Sequence, residues 1–190
     1  MNINEYQNYH ETKAHTSAEF PYNTYLCSIP LDFPGVPLHW HDELELVVIK
    51  RGQGFVSVDF DKHLVHSGDI IIIRPGCLHA IEQDDTFKME YENIIFKPDL
   101  LSSGTNDLCM IQYIVPLLDG SLPIEYFLTP ALGSFEALSN CIRQIDLVCA
   151  DQTPGWQLAV KSSLFNFFFL LISERQKKTV STSSNPKSLE

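Results

Sequence analysis

The chain is poor in cations. It has 13 Lys and Arg against 24 Asp and Glu, a net charge of −11 over 190 residues. A surface this negative repels phosphate backbones, so the chain by itself is not expected to bind DNA or RNA. Paired cysteines are missing as well. Cys27, Cys77, Cys109, Cys141 and Cys149 are odd in number and contain no C-x-x-C, which argues for reduced thiols in a cytoplasmic protein. Residues 1–17 are polar and hold no apolar core of a secretory signal. The longest apolar run, Leu164 to Ile172, is interrupted by Asn166 and is too short to span a bilayer, so no membrane partner is expected. There is no G-x-S-x-G, and the glycine-rich Gly52-Gln53-Gly54 has no helix after it, so it reads as a hairpin turn rather than a phosphate cradle. No internal repeat and no sustained heptad pattern is visible.

What is present is enough for a packed core: 44% hydrophobic and 11% aromatic residues. Residues 1–20 read as a polar arm. From 21 to 97 the pattern is β, with runs Tyr22–Ile29, Leu44–Lys50, Phe55–Phe60, Ile70–Ile73 and Met89–Phe96 separated by turn residues. No helical stretch separates them, which argues against βαβ units and favours a sandwich or barrel. The four isoleucines 70–73 have no polar face, so both sides should be buried. Residues 98–178 read as helical, broken near Gly104 and again at Pro116–Gly120. Phe135, Leu138, Ile142, Ile145 and Cys149 form one stripe on a helix over about 131–150, with Thr129 as cap and Pro130 as first residue. A second long helix is expected over about 154–178, apolar nearly all round. A helix of that kind must be covered on more than one face, and a second subunit is the natural cover for Phe165, Phe168, Phe169 and Leu171, hence a homodimer. Residues 179–190 read as a linker ending in Leu189-Glu190, a pair typical of a cloning scar, with the natural protein continuing beyond it.

The most specific feature is H-x-H-x3-E-x6-G at His39, His41, Glu45 and Gly52, followed by G-x6-P-G-x2-H from Gly68 to His79. Three imidazoles and a carboxylate suit a divalent transition metal such as zinc, nickel, iron or manganese. His39 and His41 share a strand face. Four residues of straight strand cover about 13 Å, so His41 and Glu45 meet only if the chain bends near Asp42–Leu44. His79 must arrive on a neighbouring strand, as a small barrel permits. Phe55, Tyr91 and Phe87 are the aromatic candidates for the lumen. Trp40, between two inward histidines, should face out against the arm or a helix. His10, His15, His63 and His66 read as ordinary polar residues, Asp42 and Glu43 as a solvated strand end, and Cys77 as a buried structural thiol.

These two motifs resemble the paired motifs of the cupins. They depart from the common cupin form at Phe33, where a glycine is expected, at Pro75-Gly76, which lack a spacer, and at Gln83. Together with Leu44 to Gly54, the departures are more similar to the N-terminal sensor domains of AraC-type transcription regulators. That resemblance covers about residues 20–178. It implies a mainly β fold: a cupin-like, jelly-roll barrel followed by two or three helices, two of which make a dimer contact. It also implies His39, His41, Glu45 and His79 as the lumen set, holding a metal, contacting an organic effector or simply lining the barrel. The helix-turn-helix domain that contacts DNA in that family is absent here. The expected function is therefore effector sensing and dimerisation without catalysis, with DNA reached only through a further C-terminal domain. The alternative is a stand-alone metal-dependent cupin enzyme, a dioxygenase or isomerase, in which Glu43 is a conceivable base. The helical third has no clear role in that alternative.

Overall fold

The strand-rich part of the chain closes into two antiparallel sheets in a computed structural model that describes residues 1–102 and 107–183. The described residues form eight strands: β1 Tyr22–Ile29, β2 Gly35–His39, β3 Leu44–Val58, β4 Asp61–His66, β5 Ile70–Ile73, β6 His79–Gln83, β7 Met89–Phe96 and β8 Phe127–Leu128. One sheet runs β1-β7-β3-β5-β8, and the other pairs β2 with β6, β6 with β3, and β3 with β4. β3 belongs to both. Its first part, Leu44–Gly52, pairs with β7, and its last part, Gln53–Val58, pairs with β4.

This corrects the reading of Gly52-Gln53-Gly54 as a hairpin. The segment is a bend inside one 15-residue strand. Gly52 sits at φ +76°, and a Cβ there would lie 1.8 Å from the Lys88 carbonyl oxygen. Only glycine lets the strand cross from sheet to sheet at that point. The reversal comes later, at Asp59 and Phe60, both with positive φ. Apolar residues alternate inward from both sheets, and Ile29, Val47, Ile49, Val56, Ile71, Ile73 and Ile81 form one buried cluster. All four isoleucines of β5 are buried, as their unbroken run requires.

The barrel unit does not end at residue 97. Met1–Thr129 is one compact unit, because Phe127 and Leu128 return to pair with Ile71 and Ile70 of β5. Between β7 and β8 lie a 3-10 turn at Pro98–Leu101, a wide π turn at Met110–Ile114 and α2, Val115–Asp119. Pro116 stands in the first turn of α2 rather than ending a helix, and Gly120 at φ +79° closes it. The expected break at Gly104 lies outside the described residues. The arm is not bare either. It carries α1, Ile3–Gln7, with a capping box between Asn2 and Glu5.

The second unit begins at Pro130. It consists of α3, Phe135–Asp151, and α4, Trp156–Ser183. α3 starts five residues after the expected first residue Pro130, preceded by Ser134. α4 continues five residues past 178, and the final stretch of the expected linker, 184–190, lies outside the described residues. Leu138, Cys141, Ile142 and Ile145 of α3 are buried. So are Val160, Leu164, Phe167, Phe168 and Leu171 of α4, and the two helices pack together, with Asn166 Nδ2 donating to Cys141 Sγ at 3.3 Å. Phe168 and Leu171 are therefore taken up within the chain, whereas Leu158, Phe165 and Phe169 are exposed at steps of 7 and 4 along the opposite side. By length and composition alone, Trp156–Arg175 is also apolar enough to cross a bilayer, unlike the shorter run considered above.

Candidate functional site

The arm and strands β1, β2, β3, β6 and β7 deliver side chains to one cavity of about 250 Å³. β2 ends at His39, the chain turns through Trp40–Glu43, and β3 begins at Leu44. That corner is the bend the sequence requires, and it brings His41 Nε2 to 3.1 Å from Glu45 Oε2. The corner is held by the Gly76 N–H, which donates to the His41 carbonyl at 2.9 Å. His79, first residue of β6, pairs directly across from His39, with ring centroids 4.0 Å apart. A register shift between Val36 and His39 lets both residues line the cavity although they differ in parity.

His39, His41 and His79 can each offer one nitrogen so that all lie within 4.8 Å of one another. Their tautomers follow from their partners. A carbonyl only accepts, so His79 Nδ1–H donates to the Cys77 carbonyl and His39 Nδ1–H to that of Pro37, both at 2.9 Å. The Nε2 atoms are left to face the cavity, the arrangement a metal-binding imidazole needs. In its neutral form His79 turns a lone pair toward Glu45 Oε2, 3.3 Å away, and this nitrogen is buried without a hydrogen-bond partner. Two acceptors facing each other call for a cation between them, a proton or a metal ion. On that count the donor set fits a divalent transition metal.

Burial disfavours charge on all these groups, and their mutual contacts decide the outcome. Burial raises the Glu45 carboxyl, but His41 and His79 outweigh it and hold it well below the usual carboxylate range. Burial lowers His41, but the hydrogen bond and charge of Glu45, with Glu43 and Glu11, raise it above its ordinary 6.5. His39 stays below 6.5 through burial and the neighbouring His79. Glu43 is not the solvated strand end expected of it. It is buried, and its Oε2 lies 3.6 Å from His41 Nδ1, too far for a hydrogen bond but close enough for its charge to favour a proton on that nitrogen. Burial pushes the Cys77 thiol up to about 11, so it is inert.

Tyr91 lines the cavity from β7 with Asn93 and Ile95, and burial raises its phenol so that it stays protonated. Phe55 does not line it. In the last part of β3, Gly54, Val56 and Val58 point inward, and the odd parity of Phe55 sends it outward beneath Lys62. Phe87 lies exposed on the β6–β7 connection. Sequence reasoning missed Glu11, Lys13 and His15, which enter the same cavity from the arm. The only signal was Trp40, whose outward ring needs a cover. Tyr6 and His10 supply it, stacked at 4.7 and 4.1 Å.

An HTH-type transcriptional regulator of Bacillus subtilis named YdeC, itself uncharacterized, is 33% identical over 159 residues, 83% of this chain and 54% of its own length. The HTH-type transcriptional activator RhaR of Mannheimia succiniciproducens is 33% identical over 69 residues, 36% of this chain and 24% of its own. The chain thus spans about half the length of the first of these relatives. Among solved structures, a cupin protein from Bacteroides fragilis aligns at 22% identity and a TM-score of 0.38, covering 48% of this chain and 75% of that one. A family model described as the AraC-like ligand binding domain matches residues 23–168, and the chain belongs to that family.

Proposed function

We propose that this chain is the effector-sensing and dimerisation part of a cytoplasmic AraC-type transcription regulator, and that its barrel binds a divalent transition metal, a small molecule, or both together. The observation that carries the reading is the convergence of one nitrogen from each of three imidazoles, with the Glu45 carboxylate beside His41 and His79, in one cavity. His39, His41, Glu45 and His79 would hold the ion. Bound there, it would supply a Lewis-acidic centre to which an oxygen- or nitrogen-bearing effector can attach. Tyr91 Oη and Asn93 of β7 would orient that effector, and the cavity's size suits a small molecule of about ten heavy atoms.

The relatives named as transcriptional regulators support sensing over catalysis. Contact with DNA falls to a part of the protein outside this acidic chain. The exposed stripe Leu158, Phe165 and Phe169 on α4 supports a homodimer through the helical unit. Elemental analysis and native mass spectrometry of tag-free protein test both halves of the reading. They should report about one divalent ion per chain and a two-chain mass. A chain that takes up neither an ion nor any small molecule from a metabolite panel would overturn it.

A further inference from the structure

We propose that Glu11, carried on the N-terminal arm, is a further ligand of the ion in the barrel, so that arm and strands hold the metal jointly. The inference rests on the metal reading of His39, His41, Glu45 and His79, and it concerns a residue from outside the barrel strands. Glu11 Oε2 lies 3.5 Å from His39 Nε2 and 2.9 Å from His15 Nε2. Two ligands bound to one ion at about 2.1 Å stand about 3.0–3.4 Å apart for right-angled to tetrahedral geometry. Glu45 Oε2, at 3.1 and 3.3 Å from His41 and His79, meets that spacing, and Glu11 is within a tenth of an ångström or so of it. The second observation is electronic. His39 Nδ1–H is committed to the Pro37 carbonyl, so neutral His39 turns a lone pair toward the Glu11 carboxylate. This is the same acceptor-to-acceptor confrontation that His79 makes with Glu45, and a cation between the two groups relieves each.

The arm's position does not depend on the Glu11 side chain. The Glu11 N–H donates to the Trp40 carbonyl and the Trp40 N–H donates to the Tyr9 carbonyl, both at 2.9 Å. Trp40 Nε1 donates to the Tyr6 carbonyl at 2.9 Å, and Tyr6 Oη donates to the Gly76 carbonyl at 2.7 Å. Trp40 is the residue between His39 and His41, so the arm is clamped at the middle of the ligand motif. Glu11 is thereby presented to the cavity by backbone pairing, and His15 steadies its carboxylate as a positioning residue. Ion binding should in turn fasten the arm.

The test uses the full tag-free chain, stripped by chelator and titrated with Zn²⁺ against a chromophoric competitor. Glu11→Gln should weaken Zn²⁺ binding about 10–100-fold, Glu11→Asp less, and Glu45→Gln more. Zn²⁺ should slow tryptic cleavage after Lys13 in the wild type and leave it unchanged in Glu11→Gln. The visible spectrum of the Co²⁺-loaded protein should also differ between the two, which a merely structural glutamate would not cause. If Glu11→Gln binds Zn²⁺ as tightly as the wild type while Glu45→Gln does not, the arm proposal fails and the metal reading stands. If the wild type binds no ion, both fail.

Discussion

Replacing Glu45 by glutamine should remove most of the stability that a bound ion confers on this domain. A ligand that binds only the folded state at a free concentration 100 times its dissociation constant adds RT ln(101), about 2.7 kcal/mol. For a chain of 190 residues, each kcal/mol moves the melting temperature by about 2–4 °C, so the wild type should gain roughly 5–11 °C. Glu45 faces two imidazole nitrogens at 3.1 and 3.3 Å and has almost no solvent to replace it. Loss of an outer partner of a metal ligand already costs about 10–100-fold in affinity, so loss of this carboxylate should cost at least about 100-fold. At the same free ion concentration the variant is then half occupied, gains only about 0.4 kcal/mol, and shifts by roughly 1–2 °C. The variant's ion-free melting temperature will change too, since His41 loses its anionic partner. The quantity to compare is therefore the ion-induced shift in scanning calorimetry with buffered Zn²⁺. A Glu45→Gln protein that keeps the full wild-type shift refutes the placement of Glu45 in the site.

The two sides of α4 should respond oppositely. Phe168→Ala removes a fully buried ring and should cost about 3–5 kcal/mol in chemical denaturation. Phe169→Glu should leave the subunit fold within about 0.5 kcal/mol yet raise the dimer dissociation constant at least about tenfold in light scattering, and an unchanged dimer would remove Phe169 from the contact. Gly52→Ala forces a Cβ onto the Lys88 carbonyl at positive φ and should destabilise by more than about 2 kcal/mol, read as a drop in melting temperature. Ion-free protein should separate His41 from His39 by pH. His41 is raised above 6.5, so its stabilisation is complete below about pH 6.5 and is lost as pH rises through its folded value. The melting deficit of His41→Gln should therefore shrink from pH 6 toward pH 9. His39 is lowered, so its neutral form is stable above about pH 6.5 and stability falls as pH drops through its folded value, and His39→Gln should gain on the wild type toward pH 5. Parallel melting curves would contradict both signs.

The class of fold was legible because period and punctuation agree over long stretches. The four isoleucines of β5 can only be a strand buried on both sides, and the stripe from Phe135 to Cys149 can only be one face of a helix. The bend between His41 and Glu45 followed from strand length alone. What pattern could not supply was parity across irregularities. Phe55 went to the outer face because the strand crosses sheets at Gly52–Gly54, and a glycine pair marks a bend and a hairpin with the same letters. Likewise the long helix read as apolar all round, and local spacing did not say which of Phe165, Phe167, Phe168 and Phe169 its neighbour would cover.

The chain's letters alone determined the chemistry available: three imidazoles and an acid in one strand-rich segment, on a surface too acidic for phosphate backbones. Ligand type, charge and period are local properties, and they survive without coordinates. Tertiary structure decided which groups meet. The arm residues Glu11 and His15 joined the cavity because Trp40 required a cover and found it in Tyr6 and His10, a contact set by surface burial between segments some thirty residues apart. The protonated nitrogen of His39 and of His79 was likewise set by backbone carbonyls that only the folded chain brings within 2.9 Å.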